Sequence, residues 1–126
     1  MGNHLYTLLI GSNHLANKHI PQALELLENT FGIIRCSSAM LTEAINMPND
    51  FPFVNKAVCV HSTLEATEMI AMLKSIEKQL GRCDEDKQRG IIPIDIDIIL
   101  CDKKVIHADY ETKNYVKKLV KEVCLE

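Results

Sequence analysis

Two aspartates, Asp95 and Asp97, interrupt the apolar run Ile94-Asp95-Ile96-Asp97-Ile98-Ile99-Leu100. β-Branched and aliphatic residues mark the run as a strand, where aspartate is depleted. Strand side chains alternate between faces, so both carboxylates share one face, roughly 7 Å apart by strand rise. Ile94, Ile96 and Ile98 take the opposite, core-directed face. Two hard oxygen ligands on a rigid strand suit Mg²⁺, which takes few carboxylates and completes its shell from water and phosphate. The pair therefore reads as a magnesium–phosphate site. The competing reading is an edge strand whose polar face meets solvent.

Other candidates flank this strand. Phe53 and Asn55 share one face of an earlier strand, and an aromatic beside an amide can stack on and hydrogen-bond a flat polar heterocycle. The plain alternative is a core phenylalanine and a strand-edge amide. The preceding loop, Glu43 to Pro52, carries Asn46, Pro48, Asn49, Asp50 and Pro52. It exceeds the usual connection of about 4–6 residues, as a lid over a ligand would, or simply a surface loop. Glu77, Arg82, Lys87 and Arg89 lie between a helix and the aspartate strand, and cations there can hold a polyphosphate. Asp84, Glu85 and Asp86 share that loop, so a solvated mixed-charge segment is the alternative. Lys113, Lys117 and Lys121 form one basic face of a terminal helix, read as solvated. No P-loop, dinucleotide-binding, nucleophile-elbow or CxxC pattern occurs.

The elements that must position these residues follow from periodicity and punctuation. Leu5–Ile10 reads as a buried strand ended by Gly11-Ser12-Asn13. A helix over Ile20–Phe31 carries Ile20, Ala23, Leu24, Leu27 and Phe31 at helical spacing, with Pro21 in its first turn and Gly32 as its stop. Ile33–Thr42 and Phe53–His61 are strands. A helix over Leu64–Leu80 has Thr63 as candidate N-cap, Gly81 as stop, and Met69, Ile70, Leu73, Ile76 and Leu80 as its stripe. Arg82–Ile92 is irregular, Ile94–Cys101 is a strand, and a turn leads to a short strand, Val105–His107. A last helix from Asp109 buries Val116, Leu119, Val120 and Val123. The order βαββαβ predicts an α+β, ferredoxin-like antiparallel sheet with helices on one face, plus a C-terminal hairpin strand and helix.

Composition bounds the rest. The 126 residues suit one domain spanning 1–126, 47% hydrophobic and 25% charged. A net charge of −3 argues against nucleic-acid coating. No apolar run approaches the ~20 residues of a membrane span, so no membrane partner is expected. Five cysteines, odd in number and widely spaced, fit a reducing cytoplasm.

Taken in order, five segments resemble the hydroxymethyl-dihydropterin pyrophosphokinases. Ile10-Gly11-Ser12-Asn13 is similar to the family's G-S-N. Ser38–Thr42 looks like its S-x-x-x-T. Phe53-Val54-Asn55-Lys56-Ala57-Val58 resembles its F-L-N-A-V-V. Ile76–Arg82 resembles I-E-x-x-x-G-R, and Pro93–Leu100 resembles R-x-L-D-L-D-I-L-L. The resemblance runs from about Leu5 to His107. It implies transfer of pyrophosphate from ATP to 6-hydroxymethyl-7,8-dihydropterin, a step of folate biosynthesis. It further implies that Asp95 and Asp97 ligate two Mg²⁺ ions and act in catalysis with Arg82. Thr42, Phe53 and Asn55 would hold the pterin, and Glu77 and Arg82 would line the nucleotide side, where Lys87 and Arg89 supply further charge. Where the family carries several arginines before D-x-D, this chain has Asp84, Gln88 and Ile92. In its shortened tail, Tyr115 is a candidate second stacking aromatic. Two other readings are a non-catalytic relative that binds a pterin or similar flat ligand, and a ferredoxin-like interaction domain.

Overall fold

The structure, a computed structural model, describes residues 3–44 and 47–124. Strand β1 (His4–Ser12) is the centre of an antiparallel sheet, with β4 (Phe53–Ser62) on one side and β5 (Asp95–Cys101) on the other. β2 (Ile33–Cys36) and β3 (Met40–Thr42) both pair with β4 at one edge, and β6 (Lys104–Val105) pairs with β5 at the other. The order β2-β4-β1-β5-β6 is the ferredoxin-like arrangement expected from βαββαβ.

β1 is buried from Tyr6 to Ser12, because both of its faces are covered. Tyr6, Leu8 and Ile10 face α1 (Ala16–Phe31) and α2 (Ala66–Gln79), where they meet Ile20, Leu27, Met69, Leu73 and the Ile94/Ile96/Ile98 face of β5. Leu9, Ala57, Cys59 and Ile99 face the other way, onto Val116, Leu119, Val120 and Val123 of α5 (Asn114–Val123). Helices therefore lie on both faces. α1 and α2 share one as expected, and α5 covers the opposite face, which carries the aspartate pair.

Local chemistry moved several expected boundaries. α1 begins at Ala16, a turn before Ile20, so Pro21 lies inside it and leaves one backbone carbonyl without its helical donor. The expected strand 33–42 is broken at residues 37–39, where the Ser37 hydroxyl accepts the Ala57 N–H at 2.8 Å in place of a ladder bond. α2 is capped by Glu65 rather than Thr63, through a reciprocal capping box with Glu68. The polar stretch 82–92 contains a one-turn helix, α3 (Asp84–Gln88). The hairpin strand is Lys104–Val105 rather than 105–107, and the last helix is split into α4 (Asp109–Thr112) and α5. Met47–Pro52 carries neither helix nor strand, as expected, while Asn46 lies outside the described residues. Among the described residues, no helix is long and apolar enough to cross a membrane.

Candidate functional site

The register of β5 against β1 sets Asp97 beside Leu9 and Asp95 beside Gly11, at the end of the sheet where β1 stops. Both aspartates are half-buried on the α5 face. Burial pushes the Asp97 carboxyl up to about 8, helped by the charge of Asp95 and a hydrogen bond to it. Two carboxylates this close repel and hold a proton between them unless a cation replaces it.

Arg82 supplies part of that compensation. Its Nη1 donates to Asp95 Oδ1 at 2.8 Å and lies 3.2 Å from Glu77 Oε1. Glu77, although charged, is buried at 7% exposure. Its Oε2 accepts the Ile96 N–H at 2.8 Å, which fixes the β5 backbone between the two aspartates. Burial raises the Glu77 pKa, while the Ile96 N–H and Arg82 work to lower it.

A cavity of about 210 Å³ opens from the aspartates toward β3 and β4, lined by Thr42, Phe53, Asn55, Asp95, Asp97, Lys113 and Tyr115 among others. It falls below the ~300–1,000 Å³ of drug-sized pockets, a size suited to one small flat ring system. Gly11 forms part of its wall. A Cβ there would sit 3.2 Å from Asn55 Oδ1 and 3.6 Å from the Phe53 ring, so the missing side chain keeps both groups accessible. Asn55 is 4% exposed and spends its Nδ2 on Thr42 Oγ1, at 2.8 Å, and on the Met40 carbonyl. That orientation leaves Oδ1 toward the cavity as a hydrogen-bond acceptor. Lys113 pairs with Asp109 at 3.2 Å. Burial opposes its charge, but the acidic groups of Tyr115, Asp109 and Asp97 outweigh burial and raise its pKa.

The aspartates also border a second cavity, on the α2 side, lined by Lys74, Glu77, Arg82, Ile106 and His107 among others. Lys87 reaches a third depression beside Glu77, Arg82 and Lys78. Arg89 does not join this group: it is exposed and pairs with Asp86 at 2.6 Å. The acidic segment 84–86 thus captures one of the three cations, Arg82, Lys87 and Arg89, expected to face phosphate.

Several residues here were missed or misread in the sequence. Lys113 sits at the N-cap of α5 and lines the cavity, apart from the solvated basic face to which its spacing assigned it. His107 and Asp109 also reach the site. The signal for them was topological: the β5–β6 hairpin reverses the chain, so the residues after β6 must return toward Asp95. Asn13, read only as a turn signal and part of G-S-N, clamps the segment before β5. Its Nδ2 donates to the Gly90 carbonyl at 2.6 Å and its Oδ1 accepts the Ile92 N–H at 2.7 Å.

Known proteins resemble this chain along most of its length. The sequence pattern of the family described as 7,8-dihydro-6-hydroxymethylpterin-pyrophosphokinase matches residues 7–125. A 2-amino-4-hydroxy-6-hydroxymethyldihydropteridine pyrophosphokinase of Porphyromonas gingivalis is 34% identical over 100 residues, covering 74% of this chain and 66% of the relative. An enzyme of the same name from Aquifex aeolicus is 32% identical, over 70% of this chain and 54% of its own. A folate synthesis bifunctional protein of Arabidopsis thaliana is 30% identical, over 81% of this chain and 22% of its own. The chain thus spans about two-thirds or less of the length of these relatives. A match of this extent shows that the chain belongs to the 7,8-dihydro-6-hydroxymethylpterin-pyrophosphokinase family.

Proposed function

We propose that this protein transfers pyrophosphate from ATP to 6-hydroxymethyl-7,8-dihydropterin in folate biosynthesis. The observation that carries the reading is the aspartate pair standing between two cavities, one walled by Phe53, Asn55 and Tyr115, the other by Glu77, Arg82 and His107. A reaction between two bound molecules needs its charge-handling groups at their junction.

On this reading the flat pterin enters the first cavity. Phe53 and Tyr115 give it aromatic faces, Asn55 Oδ1 accepts from its ring N–H groups, and the Thr42 hydroxyl is free to donate because its oxygen already accepts from Asn55. Arg82 and Lys74 offer positive charge to the polyphosphate in the second cavity, Lys87 adds charge from the adjoining depression, and Glu77 acts by positioning β5 and Arg82 rather than by touching nucleotide. Lys113, close to Asp97, is placed to counter charge near the reacting hydroxymethyl.

The donor set fits Mg²⁺. Asp95 and Asp97 offer hard oxygens and too much negative charge for one buried site, the imbalance expressed in the raised Asp97 pKa. Two Mg²⁺ ions held there would neutralise the transferred group and lower the pKa of the attacking hydroxyl. The five free cysteines favour a reducing compartment such as the cytoplasm.

The deciding experiment measures AMP release from MgATP with and without 6-hydroxymethyl-7,8-dihydropterin, beside the Asp97→Ala protein. Pterin-dependent AMP that vanishes in the variant is the expected result. Calorimetric binding of the pterin without AMP would instead identify a non-catalytic relative that keeps the pocket.

A further inference from the structure

At the other end of β1, about 20 Å from the aspartate pair by strand rise, lies a second cluster with ligand chemistry. A ring nitrogen of His4, the Cys101 sulfur and an Asp102 carboxylate oxygen all lie within 4.8 Å of one another. We propose that His4, Cys101 and Asp102 form a binding site for a thiophilic divalent cation of the Zn²⁺ class, unrelated to the Mg²⁺ site.

Three features of the surroundings argue for a built site rather than a chance grouping. The first is the donor set. Imidazole, thiolate and carboxylate are the three ligand types zinc takes, and three protein ligands leave a fourth position for water. A Mg²⁺ or Ca²⁺ site would be all oxygen.

The second is support behind two of the donors, His4 and Asp102. His4 Nε2 lies 2.7 Å from Glu65 Oε2, and Nδ1 faces Asp102 Oδ2 at 2.7 Å. In the metal-free protein each ring nitrogen donates to a carboxylate. Once Nδ1 gives up its proton, Nε2–H stays on Glu65 and the Nδ1 lone pair faces the cluster, as in the carboxylate–histidine–metal arrangement that orients metal-bound imidazoles. The other Asp102 oxygen, Oδ1, accepts the Leu5 N–H at 2.8 Å, so Oδ2 is held on the His4 side.

The third is backbone strain. Asp102 and Lys103 both occupy the left-handed region, with φ of 51° and 70°. Neither is glycine, so the tight turn between β5 and β6 sustains conformations that L residues rarely adopt. That turn holds adjacent Cys101 and Asp102 where both reach His4.

Cation entry requires the Cys101 thiol proton and the His4 Nδ1 proton both to leave for the buffer, and the His4–Asp102 hydrogen bond to be exchanged for coordination. Asp102 lowers the barrier to the second exchange, since it is half-exposed at the surface. The bound ion would tie together the start of β1 and the β5–β6 turn. Through His4 and Glu65 it would also reach the N-cap of α2.

The test is a Co²⁺ titration of chelator-treated, reduced protein without a histidine tag, followed by Zn²⁺ displacement. One equivalent producing a thiolate-to-cobalt charge-transfer band, bleached by Zn²⁺, is the expected result. Cys101→Ser should abolish the band. Glu65→Gln should weaken binding about tenfold or more, the usual effect of losing a carboxylate behind a metal-bound histidine. Asp97→Asn should leave the band unchanged, which keeps this outcome separate from that of the pyrophosphokinase reading. A band that survives Cys101→Ser would assign the metal to another cysteine, and no band at stoichiometric Co²⁺ would mean that no such site exists. Either result overturns the proposal.

Discussion

Replacing Asp97 by asparagine should stabilise the metal-free protein while destroying its activity. The Asp97 pKa rises from 3.8 to about 8 on folding. A group with a raised folded pKa gives stability that is complete below its unfolded pKa and is lost as pH climbs to the folded one. The penalty of ionised Asp97 therefore accumulates between about pH 4 and pH 8. At 1.36 kcal/mol per pKa unit the shift sets a ceiling of about 6 kcal/mol. Partial exposure screens it, and the proton is shared with Asp95, so about 2 kcal/mol is the working expectation. Asparagine keeps the shape and removes the charge. In EDTA at pH 8, Asp97→Asn should melt roughly 6–10 °C above wild type, given about 3–5 °C per kcal/mol for a chain of this size. The gap should close toward pH 4. Adding Mg²⁺ should raise the wild-type melting temperature and leave the variant's unmoved. The assay is differential scanning fluorimetry across pH 4–9, with and without Mg²⁺, beside AMP release. Wild type and variant melting together across the whole pH range would refute the strained-pair argument.

Three further outcomes follow from contacts described above. Arg89→Ala should leave the Michaelis constant for ATP within about twofold, because the Arg89 side chain is committed to Asp86 on the surface, whereas Lys87→Ala should raise it by several-fold. Phe53→Ala removes a stacking face worth ~0.5–1.5 kcal/mol beyond its buried area, so the Michaelis constant for the pterin should rise about tenfold in steady-state assays. Leu119→Ala should cost ~2–5 kcal/mol in urea unfolding, since Leu119 is fully buried between α5 and the sheet. That variant should also weaken pterin binding, because the same helix carries Tyr115.

What the sequence determined by itself was the local and the contiguous. The Asp95/Asp97 pair shares a face because strand geometry alternates with period two, and Phe53 and Asn55 meet in the cavity for the same reason. The βαββαβ order set the strand arrangement, because hairpin and crossover rules leave few alternatives. Helix stripes such as Val116, Leu119, Val120 and Val123 named their own buried face.

Tertiary structure decided which distant residues share that neighbourhood. Lys113 and Lys117 look alike in the sequence, but only Lys113 lies where α5 meets the aspartates. Lys87 and Arg89 lie two residues apart, and the ion pair with Asp86 took one of them away from the site. Glu77 became an anchor for the Ile96 amide because α2 packs directly on β5. Asn13 became a clamp on the segment before Asp95, and His4 met Asp102 across 98 residues of sequence. Periodicity carries information over a few residues. Charge pairing and backbone capture depend on which elements fold against one another, and only the assembled sheet and its two helical layers settle that.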